Sequence, residues 1–294
     1  MLKENTIVNG LWIGQRLSPI ELLTIQSFLY HGHQFHLWVY GDLDNELPDG
    51  MILRDANEII PERDVFAKKE ADPGFNLGKG SFAAPFSDLF RYRLLYLHGG
   101  WWVDMDVTCL KPFDFEEPYF FRAHDKLNAI GSVMKCPKGS ELMKTVYDRV
   151  KTECDENTVL YLLPNIILNE EINKAALSHF IIKGISNEDL WYEVWEFIIS
   201  DPPIPKEFYF FHWVNEEWRT RGLSKNTFKK SSTLGQLIGS HVIDKNVNWS
   251  TLPFRVIEFR EWLKIWAKKG KNWLKDPGIP VFVKRYFNSK IGSK

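Results

Sequence analysis

Two carboxylates stand one residue apart at Asp104 and Asp106, with Met105 between them. In extended chain, residues i and i+2 share a face, so both carboxylates would project together from a strand end. Such an oxygen-rich pair suits Mg2+ or Mn2+, hard cations that take few carboxylates and complete their shell with phosphate oxygens. A cation held there would neutralise the charge that builds on a departing diphosphate. As a bare tripeptide the pattern is weak, because a solvated turn often has the same residues. Its setting adds weight. Asp88 and Arg91 are spaced i, i+3 upstream and would share one helix face. They read either as a surface ion pair, which contributes little, or as an arginine aimed at phosphate or sugar.

The flanking sequence supplies elements to position these groups. Ala83 to His98 reads as a helix closed by Gly99-Gly100 as its C-cap. Trp101 to Val103 then reads as a short strand running straight into Asp104. Nearer the start, Thr6 to Ile13 reads as a buried strand ending at Gly14. Ser18 and Pro19 suit a helix cap and first turn, and the helix carries to about Tyr30. Gln34 to Tyr40 reads as a second strand. This strand-helix-strand opening predicts an α/β sheet. The charged, Gly-rich stretch 61–80 reads as a loop. Further strands are expected at Tyr119 to Ala123, Ala129 to Lys135 and Phe208 to Trp213. Helices are expected at Ser140 to Cys154, roughly Leu160 to Ala176, and near Lys225 to Gly239.

Composition narrows the class. Hydrophobic residues make up 44% and charged residues 26%, the balance of a globular chain with a real core. A net charge of −1 gives no support for nucleic-acid binding. The 12 tryptophans fit stacking on a sugar or base, a membrane interface, or plain core packing. Cys109, Cys136 and Cys154 are too few and too scattered for a disulfide framework or a zinc site, and they suit a reducing compartment. The first residues lack the apolar stretch of a signal peptide, and no apolar run nears the ~20 residues that span a bilayer. A cytoplasmic protein is expected.

The stretch 255–294 differs. It holds eleven Lys or Arg against three acids, a formal +8, so the remainder carries −9. Trp262, Ile265, Trp266 and Trp273 stand among its lysines. That mixture suits the headgroup region of an anionic membrane, on the inner face, or else an amphipathic helix packed on the main domain.

The run Phe86 to Val107 (FSDLFRYRLLYLHGGWWVDMDV) resembles the signature of glycosyltransferases with the DXD sugar-binding region. These include the α-1,6-mannosyltransferase type and capsular polysaccharide transferases. The segment Gly10 to Gly14 is similar to their first-strand segment. Phe211 to Trp218 is similar to a late His-x-Trp segment, imperfectly, because Trp213 directly follows His212. The resemblance covers residues 6–220 loosely and 81–113 strongly. It implies a GT-A fold: a Rossmann-like nucleotide-sugar-binding domain, here 1–254, with 255–294 as a helical basic extension. It also implies a metal-dependent enzyme using Mn2+ or Mg2+ and a UDP-linked nucleotide-sugar. The acceptor would be a glycan or a lipid-linked glycan of surface polysaccharide. Carried over by position, Leu11 and Trp12 would meet the nucleotide, with Trp12 stacked on the base. Asp88 and Arg91 would hold the donor sugar and diphosphate, with Asn128 facing the sugar. Asp104 would contact the sugar-nucleotide, Asp106 would ligate the metal, and His212 would approach the metal or diphosphate. Family members retain anomeric configuration and often lack an obvious base, since front-face attack needs mainly charge stabilisation and positioning. Asp125 and Glu170 are acidic candidates on the acceptor side.

Two other classes compete. A glycoside hydrolase also uses two acids, but they flank the scissile bond across a cleft. A metal-dependent nucleotide-sugar-binding protein would need Trp12 but not Asp88, Arg91, Asp104 and Asp106 together.

Overall fold

The computed structural model describes residues 2–67, 84–158, 160–242 and 247–250. The basic stretch 255–294 and most of the segment 61–80 lie outside the described residues. The strands are β1 (Ile7–Trp12), β2 (Gln34–Val39), β3 (Ile52–Asp55), β4 (Gly100–Val103), β5 (Val107–Cys109), β6 (Phe120–His124), β7 (Asn128–Cys136), β8 (Ile181–Ile182), β9 (Phe210–His212), β10 (Thr227–Lys229) and β11 (Asn248–Ser250). The α-helices are α1 (Pro19–Tyr30), α2 (Ala84–His98), α3 (Glu141–Glu153), α4 (Leu163–Lys174), α5 (Trp191–Ile199), α6 (Asn215–Arg221) and α7 (Thr233–His241).

Seven strands form one sheet in the order β3-β2-β1-β4-β7-β6-β8. β1 to β4 are mutually parallel, β7 is antiparallel to both β4 and β6, and β8 is parallel to β6. All strands of this sheet but β7 therefore point one way, in the α/β arrangement that the opening predicts. The C-terminal ends of β1 and β4 share an edge, which puts Trp12 and Asp104 on the same side of the molecule.

Side chains alternate between two packed faces, so the central strands read as nearly continuous apolar runs. Trp38, Trp102 and Met134 pack under α2, α3 and α4. Val8, Phe35, Leu37, Trp101 and Val103 pack on the α1 side. A third apolar cluster joins α1 to α5, α6 and α7 through Ile20, Leu23, Trp195, Trp218 and Ile238.

Local chemistry fixes the element ends. Ser18 caps α1 in a capping box with Glu21, and Pro19 occupies the first turn. α1 is buried on most sides, and its buried polar side chains Glu21, Thr24 and Ser27 are all hydrogen-bonded. Ser27, for example, accepts a hydrogen bond from the Cys109 N–H at 2.9 Å and ties β5 to the helix. α2 ends at Gly99, whose φ is +66°. A Cβ there would lie 2.4 Å from the Lys138 backbone nitrogen, so both conformation and space demand glycine.

The expected elements occur with ends shifted by a few residues, except near Lys225. There the chain first forms β10, which pairs with β11, and helix α7 begins only at Thr233. β3, β5, β8, β11, α5 and α6 were not expected from sequence.

Candidate active site

Asp104, Met105 and Asp106 follow β4 in a turn, not in extended chain. The expectation of two carboxylates on one strand face is thus corrected. They converge because Met105 is drawn into the core on the other side. Met105 is 6% exposed, and its sulfur lies where a Cβ on Gly10 would come within 2.7 Å. One carboxylate oxygen each from Asp104 and Asp106 and a ring nitrogen of His212 lie within 4.8 Å of one another. Two carboxylates and an imidazole are a fitting donor set for a divalent cation.

Arg91 closes one side of this cluster. Its Nη2 lies 3.0 Å from Asp104 Oδ1 and its Nη1 lies 3.2 Å from Asp88 Oδ1. Nε and Nη2 also donate to the Ser87 carbonyl and hydroxyl. The guanidinium lies over the Trp102 ring, 5.2 Å from its centroid, and Trp102 Nε1 donates to Asp104 Oδ1 at 2.9 Å. Asp88 and Arg91 are only 4% and 5% exposed, which excludes the surface-pair reading of these two residues. Burial pushes Asp88 up to about 6, against the pull of Arg91. Asp104 is likewise raised by burial, with Arg91 opposing and Asp106 adding to the shift.

His212 closes the other side. β9 pairs with β5 so that His212 faces Val107, next to Asp106. Its Nε2 lies 3.3 Å from Asp106 Oδ1, and its Nδ1–H donates to Asp189 Oδ1 at 2.6 Å. Arg122 grips Asp189 through two bonds, Nη2 to Oδ1 at 2.7 Å and Nη1 to Oδ2 at 3.0 Å. The Asn187 side chain brackets the His212 backbone, accepting from its N–H and donating to its carbonyl. Burial alone would lower the His212 imidazole, but Asp106 and Asp189 raise it to about 10. The two carboxylates thus favour the protonated ring, and ligating a cation through Nε2 would displace that nitrogen's proton. Burial also works against the Asp106 anion, yet His212 and the Asn215 N–H hold its carboxyl below the usual range. That N–H lies 2.5 Å from Asp106 Oδ2. Val214 adopts φ +54°, a strained left-handed conformation for a β-branched residue, and this turn brings the Asn215 N–H to Asp106.

The remaining candidates are placed as follows. Leu11 is core beneath α2, while Trp12 is half-buried at the end of β1. Its buried indole Nε1 meets no hydrogen-bond partner among the described residues. Lys225 Nζ lies 5.6 Å from the Trp12 ring centroid and pairs with the fully buried Glu21, which also accepts from Asn215 Nδ2 at 2.9 Å. Asn128 is exposed at the β6–β7 turn with φ +62°, paired with His124, and no described hydrogen bond joins its side chain to the cluster. Asp125 sits in the same turn beside His124, whose Nε2 is 3.9 Å from Asp189 Oδ2. Glu170 is held by Arg149 in an exposed network between α3 and α4. Sequence reasoning missed Asp189, Arg122, Asn187, Asn215, Glu21 and Lys225. Two had a usable signal: Glu21 by its place three residues after Ser18, and Asn215 by its place inside the Phe211 to Trp218 segment.

Among curated proteins no sequence match was found. Among solved structures, the chain is similar to "PaToxG Glycosyltransferase" at 14% identity and TM-score 0.42, covering 58% of this chain and 68% of that one. It is also similar to a transferase solved as a double cysteine-to-serine mutant, at 9% identity and TM-score 0.40, covering 62% of this chain and 88% of that one. Likenesses this loose add nothing to the geometry. The family comparison does. The model of the glycosyltransferase sugar-binding region containing the DXD motif matches residues 51–128, the segment holding Asp88, Arg91, Asp104 and Asp106. Over that segment the chain is similar to glycosyltransferases with a DXD-containing sugar-binding region.

Proposed function

We propose that the chain moves a hexose or N-acetylhexosamine from a nucleotide-sugar, UDP-linked, to a glycan or lipid-linked glycan, with retention of configuration. The observation that carries this reading is the convergence of Asp104, Asp106 and His212 beside Arg91. Asp106 and His212 Nε2 would hold Mn2+ or Mg2+, with Asp104 as a further ligand facing the donor. Bound there, the ion would neutralise charge on the leaving diphosphate.

The protein's own groups do the positioning. Asp189 accepts the Nδ1 proton of His212 and so leaves Nε2 turned toward Asp106, the carboxylate–histidine arrangement typical of metal sites. Arg122 holds Asp189 in that orientation. Arg91, pinned by Asp88 and Asp104, supplies a permanent cation that need not reorganise as phosphate charge develops. Trp12 offers a ring face and an unmet indole N–H at the same sheet edge, consistent with a nucleotide base.

No helix among the described residues is long and apolar enough to cross a membrane. The basic stretch 255–294 would dock the enzyme on an anionic membrane, and co-sedimentation with anionic vesicles checks this. Equal recovery of full-length and tail-deleted protein would reject it. The reaction itself is tested by a donor screen with Mn2+, reading released nucleoside diphosphate and the anomer of the product. Consumption of one UDP-sugar with an α-linked product is expected; no consumption of any donor sinks the proposal.

A further inference from the structure

A cavity of about 530 Å3 opens at the other end of the sheet from the Asp104–Asp106 turn. Ile7 and Asn9 of β1 and Gly100 of β4 line it, all at or near the starts of strands whose far ends carry Trp12 and Asp104. Its volume falls in the range of small-molecule sites. Its floor includes the buried Trp38 ring.

The lining is strongly cationic. Lys3, Arg54 and Lys138 face a single lining acid, Glu116, a formal balance of +2 before the imidazoles of His36 and His98 are counted; Lys135 also borders the cavity, but its Nζ donates to the Phe115 carbonyl. The C-terminus of α2 lies alongside, but a helix end carries only about half a negative charge and cannot balance that excess. Arg54 lies over the Trp38 ring at 5.2 Å, and its buried Nε has no hydrogen-bond partner among the described residues. Burial and then the nearby Arg54 charge lower both His36 and His98, with Glu58 only partly offsetting this at His98. Like charges gathered round an open cavity, with a guanidinium N–H unmet, are the arrangement an oxyanion would complete.

We propose that this cavity is a second binding site, separate from the metal cluster, for a small ligand bearing phosphate or a similar oxyanion. Arg54 donates to the anion from its stacked position on Trp38, and His98 at the end of α2 and Lys138 in the turn between β7 and α3 flank it. The ligand is a small molecule and not a polymer, because the cavity is closed beneath by the sheet.

Pyrophosphate is the probe, added with EDTA so that no divalent cation recruits it to the metal cluster. The imidazole C–H resonances of His36 and His98 report locally. Saturable shifts of both at millimolar pyrophosphate are expected, and chloride at equal ionic strength should not reproduce them. Arg54→Gln and Lys138→Gln should each weaken the apparent affinity about tenfold, the loss of one charge-assisted contact. Lys138 is exposed, so its variant tests the site even if Arg54→Gln perturbs packing on Trp38. Both variants should keep nucleotide-sugar turnover in the absence of the probe. Absence of saturable shifts in the wild type overturns the proposal, as does unchanged affinity in Lys138→Gln together with a folded Arg54→Gln.

Discussion

The His212 imidazole and the Asp189 carboxylate meet at 2.6 Å, Nδ1 to Oδ1, although 23 residues separate them. This contact decides which ring nitrogen faces Asp106. Replacing Asp189 with Asn keeps the shape but removes the anion that orients and polarises the ring. Mn2+ affinity should fall about 10- to 100-fold, the usual cost of losing such a partner. Titration calorimetry with Mn2+ measures it, and an unchanged affinity would mean that His212 is not a ligand.

Arg91 is confined from the β7 side as well. A Cβ on Gly131 would lie 2.6 Å from Arg91 Nη1 and 3.2 Å from its Cδ. The guanidinium is already fixed by Asp88, Asp104 and Ser87, so it cannot yield freely. Gly131→Ala should therefore displace Arg91 and cost about 1–3 kcal/mol of stability. Turnover should fall more than the loss of folded protein explains. Full activity per folded molecule would show that Arg91 is not needed in that position.

Much of this half of the site was legible in the sequence, for a physical reason. Asp88, Arg91, Gly99 and Asp104 lie within one helix, one turn and one strand, where spacing translates directly into geometry. The other half depends on pairings between distant residues. β5 meets β9 about a hundred residues later, and Asp189 reaches His212 from a loop without periodic pattern. Val214 carries no residue signal for its left-handed turn, since glycine or asparagine would be usual there. The same limit explains the missed β10, whose short Thr227–Lys229 run is a strand only because Asn248–Ser250 pairs with it.

Glu21 is fully buried, and Lys225 is its cationic partner. Lys225→Met should destabilise the fold by about 2–3 kcal/mol, because a buried carboxylate loses its counter-charge but keeps its bonds from Ser18 and Asn215. Adding Glu21→Gln to that variant should recover part of the loss. A double-mutant cycle in urea measures the coupling, and strict additivity would show that the pair does not interact.

His33 gives the fold an acid-sensitive point away from the metal cluster. Its Nδ1–H donates to the Asn5 carbonyl at 3.0 Å, and its Nε2 accepts from the Phe113 N–H at 3.0 Å. The bond accepted at Nε2 needs the neutral ring, and burial lowers its pKa to about 4, with the bond to Asn5 partly opposing. The folded value lies below the unfolded one, so the stabilisation is fully present above about pH 6.5 and is lost as pH falls toward 4. The change amounts to about 3 kcal/mol at most. His33→Gln should show a flatter fall in urea midpoint across that window; an identical slope would contradict the assignment.

The central claim is that Asp106, with Asp104 and His212, holds the divalent cation on which sugar transfer depends. The most direct test measures Mn2+-dependent release of nucleoside diphosphate from the active donor by the wild type and by Asp106→Ala, each with and without EDTA. The account predicts turnover by the wild type, its loss in EDTA with recovery on excess Mn2+, and a fall of about a thousandfold or more in Asp106→Ala at every Mn2+ concentration. Turnover by Asp106→Ala close to that of the wild type, or wild-type turnover indifferent to EDTA, would contradict it.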